Sequence, residues 1–365
     1  MKVLRYLVIL SAVLLLLSCS KKESTYEVSE VNGIRITRNT GVPADTTFRI
    51  ELKEVGFIDM ENVSDTIRFI QSASDFEFDY LGNLFILDRD KHRIHKYDKD
   101  LKFVKAFGRN GKGPGEFWLP GMMNSRKDTL FLSNWTNLKI IKYDLDGNYI
   151  CDKTLTDQNK FPSYPKKFGA KYINRSTSST MGSDNQMVMI NDVTLYDENF
   201  NFEKSLYQIE YPYNRDVEND PTEKGYASAF SDSLVYVSEN SKDTYKISVL
   251  NSQGDQIREI RRNYIKTKVD EKEAEALRKS GEKYGMKYKI IYKNSINWML
   301  TDKYGRLWVA ANDNSEDQLK FEIYENDILL NRIVLNIEKG YSPYFVGDKI
   351  VGINRENNNI KIYEY

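Results

Sequence analysis

The chain is poor in the side chains that metal and nucleophilic chemistry most often use. Its 365 residues include two histidines and two cysteines. His92 and His95 stand three apart, which puts them on opposite faces of a strand, so a zinc site would have to draw its other ligands from distant segments. Serine hydrolysis lacks a ready base for the same reason, and no G-x-S-x-G turn occurs. Neither metal nor cofactor is expected. Charge of one sign is also missing: 53 Lys and Arg balance 53 Asp and Glu, which leaves nothing to attract nucleic acid by bulk electrostatics. The apolar run from Tyr6 to Leu17 is too short to cross a bilayer as a helix, which takes about 20 residues.

What the chain does have is repetition. A polar or glycine turn followed by a short apolar strand recurs six times: GNLFILD at 82–88, DTLFLSN at 128–134, NQMVMIN at 185–191, DSLVYVS at 232–238, GRLWVAA at 305–311 and DKIVGIN at 348–354. A second strand follows each phrase, often ending in tyrosine and an acid: RIHKYD, KIIKYD, VTLYD, YKISVLN, KFEIYE and IKIYE. The first five units continue into a further strand, such as FVKAF at 103–107 and FEKSL at 202–206. Such a unit cannot bury its own apolar face and must stack on its neighbours. The markers Leu84, Leu130, Met187, Leu234, Leu307 and Ile350 are separated by 46, 57, 47, 73 and 43 residues. Propeller blades repeat at roughly 40 to 50 residues, so two units must carry insertions.

The expected fold is therefore all-β: a six-bladed β-propeller with four-stranded antiparallel blades. The sixth unit ends at Tyr365 without its last strand, so an N-terminal strand between Phe48 and Ile70, where FRIEL and TIRFI alternate, is expected to close the ring.

The stretch AFGRNGKGPGEFWLPGM, 106–122, resembles the connection characteristic of NHL-type propeller repeats, although GxGPGEF does not recur after the second blade. At the N-terminus, Lys2 and Arg5 precede the apolar run, which ends in Leu16-Leu17-Ser18-Cys19. This is similar to the lipobox at which bacterial lipoproteins are cleaved and acylated. Together these features resemble the TolB-like six-bladed propeller lipoproteins of Gram-negative bacteria. The resemblance implies a signal peptide at 1–18, lipidation of Cys19, a tether over 19–47 and a propeller over 48–365. It also implies a cell-envelope location, anchored to the outer membrane through lipid, with the periplasmic or surface side open. Cys151 would then have no intramolecular partner. Loss of Lys2 and Arg5 would leave 51 basic residues against 53 acidic ones. Propellers of this kind serve as binding platforms and sensors, and more rarely as enzymes.

The long connections, at 108–117, 156–171, 207–229 and 261–296, are of one topological class and should crowd one face, where binding sites commonly sit on loops held by a rigid scaffold. TKVDEKEAEALRKSGEKYG, 267–285, reads as the one helix. Thr267 is the expected cap, Gly281 or Gly285 the stop, and Val269, Leu277 and Tyr284 a narrow apolar stripe. Gly108, Gly111, Gly113 and Gly115 lack the Lys-Ser/Thr and the helix of a phosphate cradle. Asp144, Asp146 and Gly147 lack the later ligands of a calcium loop and read as a hairpin turn.

Aromatic residues and arginine anchor interfaces, so the candidate ligand-binding residues are Arg89, Arg109, Trp135, Tyr164, Tyr213, Arg215 and Tyr226. No catalytic residue is assigned. The favoured expectation is a lipid-anchored binding protein whose loop-rich face holds a peptide, glycan or envelope protein. The alternative is a carbohydrate-active hydrolase or lyase with carboxylates converging at the central channel.

Overall fold

Strands such as Leu84–Asp88 and Lys349–Asn354 are buried at nearly every position, and a strand of that kind needs both faces of its sheet covered. In the computed structural model, which describes residues 24–60, 68–183, 186–214, 217–220, 222, 224–283, 285–312 and 319–365, six radial sheets meet this need by stacking on one another. Blade 1 runs outward through Ala73–Phe78, Leu84–Asp88, Arg93–Tyr97 and Phe103–Phe107. Blade 2 follows with Pro120–Arg126, Thr129–Asn134, Lys139–Asp144 and Tyr149–Thr154. Blade 3 comprises Lys166–Phe168, Lys171–Met181, Met187–Tyr196 and Phe202–Tyr213. Blade 4 has Tyr226–Phe230, Val235–Glu239, Tyr245–Leu250 and Gln256–Arg262, and blade 5 has Ile296–Thr301, Leu307–Ala311, Leu319–Glu325 and Ile328–Leu335. Blade 6 has Ser342–Val346, Lys349–Asn354 and Asn359–Glu364, and its outer strand is the N-terminal Lys53–Asp59.

The core consists of six clusters, one at each contact between blades. Leu84 and Ile86 of blade 1 meet Val351 and Ile360 of blade 6, for example, whereas Phe85 and Leu87 on the other face meet Leu130, Leu132 and Ile141 of blade 2. The remaining clusters join blades 2 and 3, 3 and 4, 4 and 5, and 5 and 6.

The recurrent tyrosine–acid ending has a local cause. Asp98 accepts from the backbone N–H groups of Asp100 and Lys102, and Asp197 accepts from those of Asn199 and Asn201. Asp144 accepts from the N–H of Asn148, which makes 144–148 the expected hairpin turn. Side-chain acceptors of this kind hold a turn in place of a fourth backbone residue. Three residues after each acid the backbone is left-handed, at Leu101, Gly147 and Phe200.

The expected ring closure holds, and three other sequence expectations need correction. The ring is closed antiparallel by Lys53–Asp59 paired with Asn359–Glu364, inside the expected window but between the two alternating segments; Phe48, Ile50 and Leu52 instead pack against the cluster between blades 5 and 6. The supposed third marker and its second strand are one continuous strand, Met187–Tyr196. The true second strand of blade 3 is Lys171–Met181, whose outer half is too rich in Ser and Thr to stand out as apolar. The expected tether holds a hairpin, Tyr26–Val31 with Ile34–Asn39, and its second strand adds in parallel to the outer edge of blade 4, making that sheet six-stranded. The helix, Glu271–Glu282, is capped by Asp270 rather than Thr267: its side chain accepts from the N–H of Glu273. Gly281 lies within the helix, Gly285 takes the left-handed conformation after it, and Tyr284 lies outside the described residues.

Candidate functional site

Links from the outer strand of one blade to the inner strand of the next leave on the same side as the hairpins between second and third strands. The long links thus share this face, within limits narrower than expected: 166–168 belongs to the inner strand of blade 3, 207–213 to its outer strand, and 226–229 to the inner strand of blade 4. Two links are tied together by a short parallel ladder, Glu218–Asn219 against Lys287–Tyr288. Beside it blade 3 rises above its neighbours, because its second, third and outer strands are 11, 10 and 12 residues long. Its inner strand is only three residues long and pairs with Lys171, Tyr172 and Ile173 alone. From Asn174 to Met181 the second strand therefore presents an edge without a strand neighbour among the described residues.

A polar ladder braces this raised arm. The Thr177 hydroxyl donates to Asn191 Oδ1 (2.7 Å), and Asn191 Nδ2 donates to the Tyr211 hydroxyl (3.2 Å). Lys224, on the link into blade 4, lies 5.8 Å from the Tyr211 ring centroid and donates to Asn219 Oδ1. Burial draws its ammonium below the usual lysine range. Lower on the same side, the Arg175 guanidinium sits 4.6 Å from the Tyr226 ring centroid, Tyr207 meets that ring edge-on at 5.5 Å, and the Tyr207 hydroxyl donates to Glu239 Oε1 at 2.7 Å. Burial, and then the Glu239 carboxylate, raise the Tyr207 phenol far above its ordinary value. Cations, a carboxylate and aromatic rings thus line the face of blade 3 that runs from its open edge across to its outer strand.

The sequence candidates are spread around the face. Arg89 is exposed on the first hairpin and its N–H bonds Ser72 O. Arg109 is paired with Glu116 at 2.6 Å. Trp135, in a short 3-10 turn, lies 5.7 Å from the Phe161 ring, close to the link that carries exposed Tyr164. Tyr213 ends the outer strand of the raised arm. Arg215 and Cys19 lie outside the described residues. Tyr226 is a correction: it is the first residue of the inner strand of blade 4 and 2% exposed, part of the core between blades 3 and 4. Arg175, Tyr207, Tyr211, Lys224 and Glu239 were missed. The signal that could have found Arg175 is the strand after Gly169-Ala170, and that for Tyr207 and Tyr211 is the alternation that carries FEKSL on to Tyr213; no local pattern points to Lys224 or Glu239.

The acids nearest the axis have structural work. Asp75 accepts from Met123 N (2.6 Å) and Glu77 from Ser125 N (2.8 Å), which joins the inner strands of blades 1 and 2. Asp88 accepts from the N–H groups of Gln71, Ser72 and Lys91. Buried His95 lies 3.9 Å from Asp88, and burial pushes its imidazole down to about 4. Among the described residues no group of three or more His, Cys, Asp or Glu is placed to hold a metal ion, and no helix is long and apolar enough to cross a membrane.

The class that this architecture defines is the six-bladed β-propeller. The chain belongs to the DUF5128 family, described as a 6-bladed beta-propeller, whose profile matches residues 44–294. No curated protein matches the chain. Similar solved structures include a catalytically inactive virginiamycin B lyase from Staphylococcus aureus with quinupristin (13% identity, 86% of this chain and 100% of that chain, TM-score 0.45). A member of the DUF4221 family from Bacteroides vulgatus is similar at 12% identity (86% and 97%, TM-score 0.45), and a gluconolactonase from Xanthomonas campestris at 11% (81% and 86%, TM-score 0.37).

Proposed function

We propose that this chain is a lipid-anchored binding protein of the bacterial cell envelope that holds an extended peptide segment of a partner on the link face. The observation that carries this reading is the strand edge beyond buried Asn174, from Arg175 to Met181, which has no strand neighbour among the described residues. Such an edge offers a row of backbone donors and acceptors to an incoming strand, with alternate side chains giving selectivity. Natural edges are usually blunted by charge or proline. RSTSSTM, 175–181, carries a single charge, at Arg175. Tyr211, Tyr213 and Lys224 flank the arm with the aromatic and cationic groups that anchor peptides.

Anchoring at Cys19 follows from the leader and lipobox-like residues. Ser24, where the described chain begins, is five residues later, a reach of at most about 18 Å when extended. Blade 4, where the hairpin docks, would then lie close to the membrane. Cys19→Ala, checked by size for signal cleavage, should release the protein from the membrane fraction.

The peptide reading is tested by capturing partners of the acylated protein from cell envelopes by crosslinking and following amide hydrogen exchange in the purified complex. Slowed exchange across 175–181 is expected. Bound partner with unchanged exchange there, or protection confined to the turns around Lys99 and Asn148, would overturn it.

A further inference from the structure

We propose that the cavity between the N-terminal hairpin and the outer edge of blade 4 binds an oxyanion, a phosphate or sulfate group carried on a small organic molecule. The cavity measures about 290 Å³ and its lining includes Arg38, Arg261, Arg262, Asn263 and Tyr264. That is the lower end of the usual range for ligand sites, about 300 to 1,000 Å³, and leaves room for the anion and a short attached group.

The register of the sheet shows why an anion fits. Arg38 pairs with Arg261 across the parallel contact, and Arg261 pairs with Lys246 across the next. Three cations thus form a row over three adjacent strands, and Glu27, opposite Arg38 on the first strand of the hairpin, ends the row with one carboxylate. Like charges directly opposite one another in a sheet are destabilising. A second row, Arg35 with Arg258, is compensated from within, because Asp327 lies 3.0 Å from Arg258. In the cavity row Arg261 is paired with Glu259, whereas exposed Arg38 donates to the Ser29 hydroxyl, a neutral group. Arg262 is held from behind by buried Glu322 at 3.0 Å and by the Tyr245 ring, 4.3 Å from its guanidinium. Asp243, the carboxylate in the wall, is matched by Lys266 at 2.7 Å and Lys242 at 3.8 Å. The balance is an excess of positive charge presented as guanidinium forks, whose paired N–H groups match two oxygens of one anion.

The same chemistry could arrive on a soluble metabolite or on a lipid headgroup. Thr40, next to Asn39 in the cavity wall, takes the carbonyl of Thr25 through both its N–H (2.9 Å) and its hydroxyl (3.1 Å). The chain therefore enters the hairpin beside this cavity, and a lipid on Cys19 would bring headgroups near it. Only the headgroup source rests on the lipid-anchor reading.

The test uses the full-length chain in neutral detergent. Thermal unfolding is followed with inorganic phosphate and with chloride at matched ionic strength, for the wild type, Arg38→Glu, Arg261→Gln and a Lys99→Glu control on the opposite face. Specific binding to the folded state raises Tm once the ligand exceeds its Kd and then with the logarithm of its concentration, while general salting-in or salting-out of the chain moves all variants together. The expected result is a phosphate-specific rise in the wild type and control, with the apparent Kd fitted from its onset at least about tenfold higher in both arginine variants. An equal rise in all four proteins, or none in the wild type, overturns the proposal. Glycerol phosphate and a soluble short-chain phosphatidylglycerol then separate the sources: tighter binding of the lipid assigns a headgroup, and equal or tighter binding of glycerol phosphate assigns a free metabolite.

Discussion

Asp75→Asn should make the protein more stable at pH 8 while leaving it nearly unchanged at pH 4. Asp75 is 7% exposed on the inner strand of blade 1. Its carboxyl is pushed up to about 7, first by burial and then by Glu77, against the hydrogen bonds from Met123 and Phe76 and the charge of Lys166. An acid whose pKa is higher folded than unfolded binds more protons in the folded state between the two values, so stability falls as pH rises through that window. The window here runs from the ordinary 3.8 to about 7. Roughly three pH units at about 1.36 kcal/mol each give ~4 kcal/mol, fully lost above the folded value. Asparagine keeps an oxygen for Met123 N and has no charge to bury. Urea unfolding of wild type and variant at pH 4, 6 and 8 measures the difference directly and cancels the shared groups other than those coupled to Asp75, such as Lys166. A stability difference that stays constant from pH 4 to 8 would refute the reasoning.

His95 acts in the opposite sense: its pKa is about 4 when folded and 6.5 ordinarily, so it should withdraw up to about 3 kcal/mol as pH falls through that interval, a loss that His95→Leu should abolish in the same titration. Gly147→Ala should cost about 1 to 3 kcal/mol by urea denaturation, because the added Cβ would meet Phe107 Cδ1 at 2.4 Å and overpacking is felt at once in a filled core. The left-handed backbone at Gly147 adds to this strain, although Leu101 and Phe200 bear it at equivalent turns. Removing residues 1–72 deletes the outer strand of blade 6 and should abolish cooperative unfolding; a soluble truncated chain with an unchanged transition would contradict closure by that strand.

The blade number, the four-stranded unit and closure from the N-terminus were legible in the chain because each depends on a local pattern repeated many times: an apolar strand buried on both faces, a tyrosine–acid pair ending in a turn, and a final unit short by one strand. The helix was legible because helix-forming residues and caps also act over a few residues, though its pattern occurs once. Blade 3 misled because its second strand, KYINRSTSSTM, is apolar only where it lies within the ring and polar where it rises above it. The hairpin at 26–39 was legible in its Asn32-Gly33 turn, where both residues are left-handed; only its docking on blade 4, more than 200 residues away, was hidden. Likewise, nothing in the spacing of Arg38 and Arg261 reveals that they stand side by side. Sequence by itself determined the repeating unit, since strand periodicity and turn chemistry act over a few residues. Tertiary structure alone decided which edge stayed open and which cations came together, because register between distant strands is set by the packing of the whole ring.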